Sequence, residues 1–148
     1  MFCDCYLRKG IVYIPTEGMM NPGLFRNVEP VAVVPVSERD ALHQAFAETI
    51  ARGNPKVPLP RGSDIPPPLM PKYAGVKSWG AFARGTTTWW ISEKEGIYRI
   101  QGLRKDGRGW VPDPDKLDTF PPGTGVDEVI ERMIEILQAE AAQQKRAG

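Results

Sequence analysis

The sequence predicts an α+β fold in which antiparallel hairpins pack against two amphipathic helices. Two observations lead to this prediction. Short runs of alternating apolar and polar residues, bounded by turn signals, indicate strands, and two longer runs with apolar residues at helical spacing indicate helices. The chain has 148 residues, a length that suits a single domain, 1–148, with a core of its own.

The strongest hairpin signal is Thr86–Gln101, where aromatic and β-branched residues are densest. We place a four-residue loop at Glu93–Gly96, which sets Trp90 opposite Arg99. Because side chains alternate across a strand, every second residue shares a face. The predicted core face comprises Trp89, Ile91, Tyr98 and Ile100. The other face is polar apart from Trp90, and we expect that tryptophan to be exposed.

Two long helices follow from capping patterns and apolar stripes. Ser37 with Asp40 is a capping-box pattern that predicts the start of the first helix, and Gly53 predicts its end. Thr124 with Asp127 repeats the pattern before a strong apolar stripe. A shorter helix is expected after a cap at residue 78.

The N-terminal third predicts strands separated by loops. Residues 2–16 indicate two short strands. Val31–Val36 indicates another strand. Because this run contains Pro35, we expect it to be at a sheet edge or at the end of a strand. The stretches 17–29 and 112–125 are rich in turn residues, so we expect loops there, the second broken by a short extended run at Leu117–Phe120.

Residues 54–77 form a proline-rich strap. Seven prolines between 55 and 71 are expected to exclude helix and interior strand, while interleaved apolar residues indicate that the strap lies on the core. The strap joins units 2–53 and 78–143. The long helices begin at nearly equal distances from a preceding hairpin glycine, which suggests an internal repeat of two β-β-α units, with one or two sheets both possible.

Charge and hydropathy limit the classes of partner. Nineteen basic and eighteen acidic residues leave a net charge of +1, so bulk attraction to nucleic acid or anionic membrane is not expected. The sequence has no leader-like start and no apolar stretch approaching ~20 residues. We therefore expect a small soluble, cytoplasmic protein without a membrane partner.

No metal, cofactor or catalytic motif stands out. Cys3 and Cys5 would point the same way on a strand, which is a poor geometry for a disulfide, and they are expected to be inert thiols. A zinc site usually needs four ligands, whereas the chain offers these two cysteines and one histidine, His43. Hydrolase, calcium and phosphate-loop spacings are also missing. We predict no catalytic residue, no metal ligand and no cofactor.

These exclusions favour a non-catalytic protein-interaction domain of inhibitor, immunity or adaptor type, whose partner is another protein or a second copy. Tryptophan and arginine are over-represented among interface hot spots. The predicted partner-binding residues are Trp90, Arg99, Arg104, Lys105 and Arg108. The same cluster could stack single-stranded nucleic acid, although the acidic residues around it count against this use.

Two further alternatives remain open. The protein could bind a small ligand or peptide in an aromatic cleft between the two units, lined by Trp79, Phe82 and Trp110. It could also be an enzyme whose acidic residues converge only in the fold. A concave pocket with convergent polar groups would favour either alternative.

Overall fold

The computed structural model describes residues 1–107 and 109–147. Within them, six antiparallel strands form one sheet in the order β3-β2-β1-β4-β5-β6. The strands are β1 (Phe2–Arg8), β2 (Ile11–Asn21), β3 (Leu24–Pro35), β4 (Thr86–Lys94), β5 (Ile97–Asp106) and β6 (Gly109–Thr119). The helices are α1 (Arg39–Arg52), α2 (Met70–Ala74), α3 (Trp79–Ala83) and α4 (Val126–Ala147), with a 3₁₀ turn at Gly62–Asp64. The predicted α+β class is confirmed.

Helices α1 and α4 cover one face of the sheet, which we call the core face. Their apolar stripes meet the inward side chains of the strands, and the largest of these residues are fully buried. Members include Leu7, Ile14, Phe46, Ile91, Ile130 and Met133. A continuous apolar layer of this kind is the main stabilising element of a domain.

The short helices α2 and α3 lie on the opposite face, which we call the second face. They enclose a smaller cluster built on Tyr6, Tyr13, Met70 and Phe82. The strap therefore carries the chain from one face of the sheet to the other. It includes α2, so the expectation that its prolines exclude helix is wrong there. Pro71 lies in the first turn of α2, where a missing N–H costs nothing.

The β4–β5 hairpin has a two-residue turn instead of the predicted four-residue loop. Glu95 and Gly96 both have positive φ, 55° and 80°, as a tight hairpin turn requires. The register consequently moves by two residues, and Trp90 lies opposite Gln101 instead of Arg99. A shift of two keeps every side chain on its predicted face. Trp89, Ile91 and Ile100 are buried as predicted, and Tyr98 is half-buried.

Both predicted loops are largely strand. β2 runs to Asn21 and β3 starts at Leu24, and their pairing has register shifts between Pro15 and Thr16 and between Met19 and Asn21. β6 contains Pro112 and Pro114, which an edge strand tolerates because its outer N–H groups need no partner.

Of the two predicted serine caps at residues 37 and 78, one is present and the other is not. Ser78 caps α3 as predicted, since its Oγ accepts from the Ala81 N–H at 3.1 Å. Ser37 does not cap α1, which starts at Arg39 after Glu38 and has no side-chain cap. Gly53 ends α1, and its N–H donates to carbonyl groups of the last turn.

Each long helix follows three strands, so the predicted β-β-α units are wrong in composition. The order of three strands and a helix occurs twice. A repeated order of elements does not by itself confirm the predicted internal repeat. No helix among the described residues is long and apolar enough to span a membrane.

Candidate functional site

Three aromatic side chains lie side by side on the second face, and we call them the aromatic row. Phe2 stacks on Phe25 with ring centroids 4.8 Å apart, and it meets Trp90 edge-on at 5.2 Å. All three are half-buried. None belongs to the apolar cluster beneath α2 and α3, so the row presents aromatic surface beyond that cover.

The alternation of side chains along the strands explains why the rings of the aromatic row lie on the second face. Cys3 and Cys5 point into the core face, so the residues on either side of them point to the second face. β1 pairs with β4 so that Phe2 is opposite Ser92 and Asp4 is opposite Trp90. The sequence prediction included only Trp90, because the β1–β4 pairing joins residues about 90 positions apart and has no local signal.

Arg99 lies on the same face as Trp90, opposite Ser92 and diagonal to the indole. It is half-buried and forms no ion pair with another described residue. Its guanidinium is therefore available to an external acceptor beside the aromatic row.

Arg104 and Lys105 are exposed near the opposite end of β5. Lys105 is four positions beyond Gln101, the partner of Trp90, which is about 13 Å along a strand. The Lys105 ammonium lies 5.7 Å from the centre of the Trp110 ring. Arg108 lies outside the described residues. The structure thus groups Arg99 with Trp90, and Lys105 with Trp110.

The three residues of the predicted aromatic cleft are close together and contact one another. Trp79 lies 5.5 Å from Phe82 and 5.7 Å from Trp110, measured between ring centroids. Tyr6 contacts all three rings. Phe82 is fully buried, whereas both tryptophans are half-buried.

A buried polar network, absent from the sequence prediction, lies between the row and this cluster. Tyr6 Oη donates to Asp4 Oδ2 at 2.9 Å and lies 3.1 Å from Asn27 Oδ1. Asn27 Nδ2 donates to Glu17 Oε2 at 2.6 Å, and Thr88 Oγ1 donates to Asp4 Oδ1 at 3.1 Å. Asp4 is 7% exposed and Glu17 is 4% exposed. Two carboxyl groups therefore share one desolvated network.

Burial is the main influence on the protonation of both groups. It raises the pKa of Asp4 to about 6, although hydrogen bonds from Tyr6 and Thr88 oppose the shift. Burial and then the charge of Asp4 raise the pKa of Glu17 to about 8. Near neutral pH Glu17 thus keeps its proton, and the network avoids two adjacent buried charges.

The network occupies a position where β1 and β2 separate. The two strands pair near their turn and then diverge, and Asn54 fills the gap. Its Oδ1 accepts from the Phe2 N–H, and its Nδ2 donates to the carbonyls of Phe2 and Glu17. Residues 55–57 then hydrogen-bond to Met19 of β2. The Asn54 side chain thereby replaces part of the hydrogen-bond ladder between β1 and β2.

The contacts of His43 and the burial of the two cysteines indicate structural roles for these residues. His43 Nδ1 lies 2.6 Å from Glu131 Oε2, and Nε2 lies 3.1 Å from Asp127 Oδ1, which connects α1 to α4. The Glu131 contact is the main cause of a raised His43 pKa. Burial raises the pKa of both thiols, so neither forms a reactive thiolate readily. Among the described residues, no group of three acidic, histidine or cysteine side chains is placed to hold a metal ion.

No family model and no curated protein matches the sequence. The fold is similar to a solved structure from Neisseria meningitidis, described as a protein of unknown function, NMB0488. The match has 12% sequence identity and a TM-score of 0.65, and it covers 94% of this chain and 93% of that chain. At this identity the likeness concerns the fold alone.

Proposed function

We propose that this protein is a non-catalytic protein-interaction domain of inhibitor, immunity or adaptor type. It binds another protein through the second face of the sheet, around Trp90 and Arg99. The observation that supports this most directly is the aromatic row, whose three half-buried rings lie in contact across β1, β3 and β4.

The row has the properties of an interface anchor. Aromatic side chains contribute large apolar area, and their rings gain from edge-to-face and offset-stacked neighbours. Ring contacts within the free protein hold the Trp90 and Phe2 side chains in place, so binding orders fewer rotamers. Arg99 beside the row adds a charge that selects a partner with an acidic group next to its apolar contact.

The convergence of Asp4 and Glu17 is the observation that favours the enzyme alternative. Three of their four carboxyl oxygens, however, accept hydrogen bonds from the protein itself. Both residues are also nearly inaccessible. A general acid must reach its substrate within hydrogen-bond distance, so these contacts support a structural role for the pair.

The test is binding by matched variants. A partner captured by the wild-type chain is identified by mass, produced, and titrated by calorimetry against Trp90→Ala and Ile65→Ala. Ile65 is exposed on the strap, far along the chain from the row. We expect Trp90→Ala to weaken binding by about 2–4 kcal/mol, the range of a hot spot, and Ile65→Ala to leave it unchanged.

The second measurement is the free energy of unfolding of Trp90→Ala. Trp90 is only half-buried, so its truncation should cost less free energy of unfolding than the ~3–5 kcal/mol of a core aromatic. Unchanged binding by Trp90→Ala would refute the proposal, as would a loss of several kcal/mol of stability, because the indole would then belong to the core.

A further inference from the structure

The outer edge of β3 presents unpaired backbone groups. β3 is at one end of the strand order and pairs only with β2. The Val36 N–H donates to the Gly10 carbonyl at 2.9 Å, which makes these two residues a hydrogen-bonded pair. Such pairs alternate along an antiparallel ladder. Val31 and Val33 therefore direct both their N–H and C=O groups away from β2.

The side chains of this stretch favour pairing with another strand. Val31–Val34 is uncharged and almost entirely β-branched, and Val33 is 46% exposed. Pro30 and Pro35 bound the stretch and lack N–H groups. The outward donors of Val31 and Val33 thus lie in a short apolar segment, which is the kind of edge that pairs with a further strand.

The other edge of the sheet differs. β6 contains Pro112, Pro114, three aspartates and a lysine within Gly109–Thr119. Prolines and charges are the features by which edge strands avoid pairing. The two edges of one sheet thus differ in character, because β3 carries the uncharged apolar stretch Val31–Val34, whereas prolines and charges recur along β6.

We propose that this protein forms a symmetric homodimer in which the β3 strands of two copies pair antiparallel and extend the sheet across both. The two-fold axis passes beside Ala32. Val31 of each copy faces Val33 of the other, and their outward groups form four N–H···O=C bonds.

The stretch is complementary to itself, which is why a second copy is the proposed occupant. A two-fold interface requires one surface to match its own copy, and here uncharged valines meet uncharged valines. Glu29, the nearest charged residue along β3, lies at the register shift beyond Val31 and outside the proposed pairing. Its carboxylate already lies 3.6 Å from Lys72 of its own chain. No like charges oppose each other, and the pairing closes at two copies.

The first test is sedimentation of the full chain over a wide range of concentrations. Val33 and Leu117 are 46% and 47% exposed and lie on opposite edge strands, so lysine substitutions there are matched. We expect wild type and Leu117→Lys to be dimers and Val33→Lys to be a monomer. A monomeric wild type, or equal behaviour of the two variants, would overturn the proposal.

The second test fixes the register. Residue 32 faces itself in a non-hydrogen-bonded pair, where Cα atoms are about 4.5 Å apart, within disulfide range. Ala32→Cys should therefore oxidise to a covalent dimer. Val33→Cys should not, because its two copies are about 7–8 Å apart on the diagonal. The native cysteines are at most 2% exposed. Cross-linking through residue 33 alone, or through neither residue, would refute this pairing.

The dimer is independent of the proposed partner site. Trp90→Ala should remain a dimer, and Val33→Lys should still bind the partner protein. Failure of either proposal is thus distinguishable from failure of the other.

Discussion

The two faces of the sheet are built from the same strands and yet differ in composition and cover. The core face is a continuous apolar layer beneath α1 and α4, which have 14 and 22 residues. The second face carries a carboxyl pair, a tyrosine and the aromatic row. Its helices α2 and α3 have five residues each.

The difference shows how one sheet can separate stability from recognition. A five-residue helix is marginal without tertiary contacts, and it covers little area. The second face therefore keeps polar groups and half-exposed rings that would be costly beneath the long helices.

The largest effect should come from matched truncations on the two faces. Phe46 and Phe82 are both fully buried, the first on α1 and the second on α3. Phe46→Ala should cost about 3–5 kcal/mol of unfolding free energy. Phe82→Ala should cost less, because short helices can relax into the cavity. Urea unfolding of both variants measures the difference, and an equal or reversed order would contradict the comparison.

The next effect is a pH dependence that originates on the second face. The folded-state pKa of Glu17 is raised from 4.5 to about 8, so the folded chain holds a proton that the unfolded chain releases. Stability from this group is complete below pH 4.5 and falls as pH rises through 8. Glu17→Gln should remove that loss, which amounts to about 1.4 kcal/mol for each pH unit between the two pKa values.

The measurement is unfolding free energy at several pH values between 5 and 9. Glu128→Gln, at an exposed position on α4, is the matched control and should follow the wild-type curve. A Glu17→Gln variant with the wild-type pH profile would show that Glu17 is not the buried acid responsible.

The smallest effect concerns the link between the two core-face helices. His43 bridges α1 to Glu131 and Asp127 of α4. Its pKa is raised, so its contribution is present below 6.5 and is lost as pH rises through the folded-state value. All three side chains are at least partly exposed, so the contribution should be smaller than that of Glu17 and should decrease with salt.

A proton NMR titration measures this directly, because the chain has one histidine. The His43 resonance should titrate above pH 6.5 in wild type, and at lower pH in Glu131→Gln. An identical midpoint in both proteins would mean that the short contact to Glu131 does not set the His43 pKa.

Part of this architecture could be predicted from local patterns. The faces of Trp89, Trp90, Ile91 and Ile100 were predicted correctly although the register was not, because a two-residue slip leaves alternation intact. The turn length depends on the backbone conformation of Glu95, a residue that seldom adopts positive φ. A glutamate at position 95 therefore does not predict a tight turn.

The buried network could not be predicted in the same way. Asp4 and Glu17 are thirteen positions apart in sequence, and each resembles an ordinary polar residue. They meet because β1 and β2 diverge and Asn54 fills the opening. Nothing in the local sequence of any of the three encodes that divergence.

Local sequence patterns were sufficient to predict the α+β class, the two long amphipathic helices, and the face to which each hairpin side chain points. These depend on periodicity, which is a property of neighbouring residues. The strand order, the aromatic row, the carboxyl pair and the unprotected β3 edge emerge only in the folded domain. Each of those requires contact between segments distant along the chain, which is set by the packing of the whole domain.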